Sequence, residues 1–154
     1  MASVSIQSAD FDVAQEVQAL TQGRRDIGGV VTFTGLCRDE GGQLAALELE
    51  HYPGLAEQEI SRVAAEAERR WPLLGLRIIH RHGKVIPGSQ IVLVVAAAAH
   101  RADAFSAAGY LMDFLKTRAP FWKKEHRIDG TSSEWVSAKR EDDAAAARWG
   151  AQEI

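Results

Sequence analysis

The apolar run from Ile91 to Ala99 limits the fold more than any other stretch of the chain. Polar and apolar residues do not alternate in it, so from Gln90 onward it reads as a central strand covered on both faces. It is far too short to span a bilayer. His100 and Arg101 follow, and then a helical pattern in which Phe105, Ala108, Met112 and Leu115 recur, with Ala104 and Leu111 beside them. Pro120 stops that helix. The residue before a proline avoids helical backbone, so the predicted end is Thr117 or Arg118. Lys116 therefore falls in the last helical turn, and Lys123 falls past the break in extended chain.

The other segments follow from the same rules. Val4-Ser5-Ile6 is a short edge strand. Asp10 is placed to cap a helix carrying Val13, Val17 and Leu20 and ending before Gly23. VVTFTG is a strand, rich in β-branched and aromatic residues, and Gly35 to Gly42 a loop. Leu44 to His51 alternates, with Ala45, Leu47 and Leu49 on one side and Glu48 and Glu50 on the other. Pro53-Gly54 opens a helix with a stripe of Ala56, Ile60, Val63, Ala64, Ala67 and Trp71. Leu76 to His82 is a strand, Lys84-Val85-Ile86 a shorter one, and Pro87-Gly88 a turn. Phe121 to Arg127 is a strand, Asp129-Gly130 a hairpin turn, and Glu134-Trp135-Val136 its return. The tail from Arg140 to Trp149 is read as helical. Helices and strands mix without strict βαβ order, which predicts an α+β domain with a largely antiparallel or mixed sheet. With 154 residues and no linker or repeat, one domain over 1–154 is expected.

Composition excludes several classes. A net charge of −3 argues against general nucleic-acid binding, which needs a broad basic face. The one cysteine, Cys37, cannot form an internal disulfide and suits a reducing cytoplasm. The N-terminus is too polar and acidic for a signal peptide. Positive charge is instead local. Lys116, Arg118, Lys123, Lys124 and Arg127 against Glu125 leave residues 116–127 at +4. That concentration points to a small anionic ligand.

Each cation has an ordinary explanation when taken alone. Lys116 suits the negative end of a helix, and Lys123 and Arg38 suit a wet surface. The functional reading requires both lysines in one pocket, which a helix ending at a proline and a returning strand could provide. A lysine crowded by cations loses its proton readily and can act as nucleophile or base. Kept protonated, it binds phosphate or steadies an oxyanion. His100-Arg101 sits where a strand end meets a helix start, a common anion site. Cys37 lacks a placed histidine partner and is read as inert. His80 and His82 form an H-x-H pair without an evident third metal ligand. The residues alone reach a cationic pocket for a small phosphorylated ligand. A non-catalytic phosphate- or nucleotide-binding module satisfies that description as well as an enzyme does.

Several segments carry a specific resemblance: VVTFTG followed by Arg38, LELEHYPGLAE, RWPL, IIHRHG, Pro87-Gly88, AAAHRADAF, MDFLKTRAPFWKKE and EWV. In this order they resemble the MoaE family, the large catalytic subunit of molybdopterin synthase. The resemblance implies an α/β-hammerhead-type fold and a homodimer at the centre of a heterotetramer. A small ubiquitin-like sulfur carrier of the MoaD type would insert a Gly-Gly tail bearing a thiocarboxylate. Two sulfurs would pass to cyclic pyranopterin monophosphate, forming the dithiolene of molybdopterin, with no metal or redox cofactor. Lys116 and Lys123 match the family's essential lysines. Arg38, His100 and Arg101 match its substrate contacts, and Leu36, Cys37, Lys124 and Glu125 flank them. Lys139 stands where relatives often carry arginine.

Overall fold

The computed structural model describes residues 2–118, 120–136 and 147–150, with the backbone alone at Arg118. In chain order the elements are β1 (Ala2–Gln7), α1 (Val13–Thr21), β2 (Gly29–Leu36), β3 (Leu44–His51), α2 (Leu55–Arg70), β4 (Leu73–Arg81), β5 (Gly83–Val85), β6 (Gln90–Ala98), α3 (Arg101–Arg118) and β7 (Phe121–Arg127). They build two sheets. One is four-stranded and mixed, in the order β1-β4-β6-β2, and the other is antiparallel, in the order β5-β3-β7. This is the α+β class with a mixed sheet and flanking helices that the sequence predicts.

The apolar run is central, as expected. β6 pairs with both β4 and β2 and is buried from Val92 to Ala98. Alternation along it divides the core. Val92, Val94 and Ala96 pack under α2 and α3, whereas Leu93 and Val95 pack with Ile79 against Val13, Val17 and Leu20 of α1. Three layers result, with the sheet in the middle. A smaller cluster of Cys37, Leu49 and Val85 lies under the second sheet, and Ile91 touches it as well as the main core.

α2 covers its stripe of Ala56, Ile60, Val63, Ala64 and Ala67 as predicted. Four other expectations shift. The cap of α1 is Asp12, whose carboxylate accepts from the Gln15 N–H, while Asp10 accepts from Phe11 N–H and the Gln90 amide. The buried face of α3 runs through Ala104, Ala107, Ala108, Leu111, Phe114 and Leu115, which leaves Phe105 64% exposed. Small residues on that face let the helix lie close to the sheet. Ala45 is exposed because the β3–β7 register slips between Leu44 and Ala46. The return past Asp129-Gly130 forms no regular strand among the described residues: it is joined to β7 by the isolated bridges Lys123–Val136 and His126–Ser132 and by Ser133 N–H donating to Glu125 O. Most of the predicted tail helix, and Lys139, lie outside the described residues. Trp149 is described and buried, packed edge-on against Trp71 and Tyr110.

Candidate active site

Pro120 does what its position suggests. The chain turns between α3 and β7, and Lys116 and Lys123 border one common space. An inner cavity of about 60 Å³ lies between Gly35 and Leu36 of β2, Leu49 of β3, His80 of β4, Phe121 and the two lysines. That is room for about two water molecules. An outer hollow of about 380 Å³ shares Leu36, Ile91, Lys116 and Lys123 with it, and adds Cys37, Arg38, Glu125 and Arg127. Its size lies within the roughly 300–1,000 Å³ usual for small-molecule sites.

Strand alternation decides which β7 residues take part. Phe121, Lys123 and Glu125 look into the two spaces. Trp122 and Lys124 look the other way. Trp122 lines an open cleft with Tyr52 and Trp135, and the Lys124 ammonium lies 5.3 Å from the centre of the Trp135 ring. Lys124 thus flanks the lysine pair in sequence but not in space.

The end of β2 forms the opposite wall. Its register with β6 slips between Gly35 and Leu36. A Cβ on Gly35 would stand 2.6 Å from Val92 Cγ1, so a glycine keeps the cavity edge open. Beyond Leu36 the chain is held by Cys37 N–H donating to Ser89 O and Gly88 N–H donating to Cys37 O, at 2.8 and 2.7 Å. Arg38 is exposed at the mouth and paired with Glu40. Cys37 is 3% exposed, with its sulfur 3.7 Å from Val85 O, and burial pushes its thiol pKa up. A thiol held protonated is a poor nucleophile, which agrees with the inert reading.

Two predicted residues are elsewhere within one chain. His100 and Arg101 are exposed at the start of α3, and neither lines the two spaces. At 1.5 Å per helical residue, Arg101 lies about 22 Å from Lys116.

The site also holds groups that the sequence did not single out for it. Arg127 adds a fourth cation to the outer hollow, beside Arg38 and the lysines. His80 was weighed only as half of a metal pair. It lies flat on Phe121, with centroids 3.9 Å apart and planes 14° apart, whereas His82 packs against His51 at 4.7 Å. Among the described residues no three potential ligands gather for a metal. Burial first, and then the charges of Lys116, Lys123 and His51, drive the His80 pKa down to about 4, so its ring is neutral near pH 7. A histidine beside the apolar pair Ile78-Ile79 in the strand LLGLRIIHR was the available signal.

Among the described residues, an α+β frame sets Arg38, Lys116, Lys123 and Arg127, with Asp39, Glu40 and Glu125, around a small-molecule-sized hollow, an arrangement suited to a small polar ligand with an anionic group. A family model described as "MoaE protein" matches residues 6–118, and the chain belongs to the MoaE family. It is 68% identical to the molybdopterin synthase catalytic subunit of Mesorhizobium japonicum, over 96% of this chain and 92% of that one. Among solved structures it is similar to the molybdopterin biosynthesis MoaE protein from Burkholderia ambifaria, with TM-score 0.84 and 50% identity over 97% of this chain and 99% of that one. It is also similar to the molybdopterin synthase from Staphylococcus aureus, with TM-score 0.76 and 30% identity over 86% and 95%.

Proposed function

We propose that this chain is the catalytic subunit of a molybdopterin synthase. It moves sulfur from the C-terminal thiocarboxylate of a small ubiquitin-like carrier to cyclic pyranopterin monophosphate, building the dithiolene. The observation that carries this reading is the meeting of Lys116 and Lys123 across Pro120 in one cavity. The sizes of the two spaces support a division of labour. The inner cavity has room only for the last few atoms of a thin chain end, such as the terminal thiocarboxylate of a Gly-Gly tail. The outer hollow has the volume for a small ring system, and Arg38, Arg127 and the lysines supply cations for its phosphate.

Lys116, closest to the incoming tail, is the central catalytic group. Its ammonium stands beside the thiocarboxylate and steadies the charge that develops on oxygen. Lys123 holds substrate and assists proton transfer. Arg38 grips phosphate once it leaves Glu40. His100 and Arg101 join the site of a second copy of the chain, because one α3 cannot bring its start to its own end. The buried, reduced Cys37 suits a cytoplasmic enzyme, and among the described residues no helix is long and apolar enough to cross a membrane.

Reconstitution with a thiocarboxylated carrier and the pterin precursor tests the proposal, with dithiolene product as the readout. Lys116→Ala should lose about a hundred- to a thousandfold in rate, as when a central stabilising group is removed, while its melting temperature stays near that of the unsubstituted chain. Arg38→Ala should weaken precursor binding about tenfold or more, the weight of one charged hydrogen bond. Precursor bound without product, with every component active, would leave only a binding module.

A further inference from the structure

The Nδ1 of His80 lies 2.8 Å from its neighbour's carbonyl, Arg81 O. A carbonyl only accepts, so Nδ1 carries the proton and Nε2 carries the lone pair. The ring cannot turn freely, because one face lies flat on Phe121. Its Nδ1 edge is spent on the backbone, and the ring lines the cavity together with Lys116 and Lys123. Charged and titratable groups face it from three elements: Lys116 from α3, Lys123 from β7 and His51 from β3. Ile6 of β1 and Val92 of β6, its neighbours across the sheet, offer no charge.

We propose that His80 is a positioning residue for Lys116: the two line one cavity, and a change of lysine rotamer brings the amine to donate a hydrogen bond to Nε2, which fixes where that amine points. The proposal rests on the sulfur-transfer reading given above. An imidazole suits this task better than a carboxylate. A carboxylate would orient the ammonium equally well but would cancel the positive charge that an anionic substrate needs. Neutral imidazole orients it and leaves the charge in place.

The test compares His80→Phe, which keeps the flat ring on Phe121 but has no acceptor, with His80→Gln, whose side-chain oxygen reaches about as far as Nε2. In the reconstituted reaction His80→Phe should lower kcat about ten- to a hundredfold, the weight of a hydrogen bond to a charged group. The KM for the precursor should stay within about twofold, since uniform binding is untouched. His80→Gln should recover most of kcat. A second readout does not need turnover: labelling of Lys116 by an amine-reactive ester, followed by peptide mass spectrometry. Loss of the acceptor disfavours the ammonium, so labelling should quicken in His80→Phe and return toward normal in His80→Gln. Unchanged kcat and labelling in folded His80→Phe overturn the proposal, as does equal damage from both variants. If His80→Phe does not fold, His80→Leu gives the same contrast. An unsubstituted chain that makes no product refutes the sulfur-transfer reading, and the labelling still decides the part played by His80.

Discussion

His80 also ties the stability of the fold to pH. Unfolded, its imidazole titrates near the ordinary 6.5, and folded it does so near 4. Between those values the unfolded chain holds a proton that the folded chain does not. Stability therefore falls as pH drops through that window, by up to about 3 kcal/mol at its lower end. The direction is opposite to that of a histidine gaining an anionic partner. Urea melts of the unsubstituted chain and His80→Gln at pH 7, 5.5 and 4.5 isolate this contribution from that of the carboxylates. The gap between them should change steadily toward acid, and a gap independent of pH removes His80 as the cause. The same side chain shows the limits of residue-level reading. The sequence pairs it with His82 as an H-x-H. The stack on Phe121, forty-one positions away in the chain, separates the two.

At the level of elements, two close approaches hold the site walls in place. A Cβ on Gly28 would lie 2.1 Å from Ala99 O, where β2 begins against the end of β6. Gly28→Ala must push backbone from backbone and should cost about 1–3 kcal/mol, read from the urea midpoint. Trp149 closes the outer side of α3. It packs edge-on against Trp71 and Tyr110, its ring N–H donates to Asp113, and its carbonyl accepts from Arg70 at 3.1 Å. Trp149→Ala should cost about 3–5 kcal/mol, as for other buried tryptophans. A loss below about 1 kcal/mol would show that this packing contributes little. Boundaries of α2, β3 and β6 were legible because a stripe, an alternation and an unbroken run each leave one option. The face of α3 was harder. With alanines spread around it, the helix has no strong stripe, and contact with the sheet decides that Phe105 stays outside.

On the scale of the whole molecule, the proposed function draws His100 and Arg101 into the site from a second copy of the chain. His100 and Arg101 lie a helix length from Lys116, and β2 ends its sheet with Val30 and Phe33 more than a third exposed. An apolar sheet edge of this kind favours association. Light scattering at micromolar concentration should return twice the 16.8 kDa of one chain. A monomer at that concentration would remove the second copy from the site.

The sequence by itself determined the secondary elements, the α+β class and the break at Pro120 that brings two lysines near each other. These depend on local backbone preference and on periodicity, which neighbouring residues carry. Only the tertiary structure decided that the lysines share a cavity, that Lys124 faces away and that His80 lies beneath them neutral. Those outcomes depend on register between strands distant in sequence and on which groups burial strips of water, and neither is written in any single stretch.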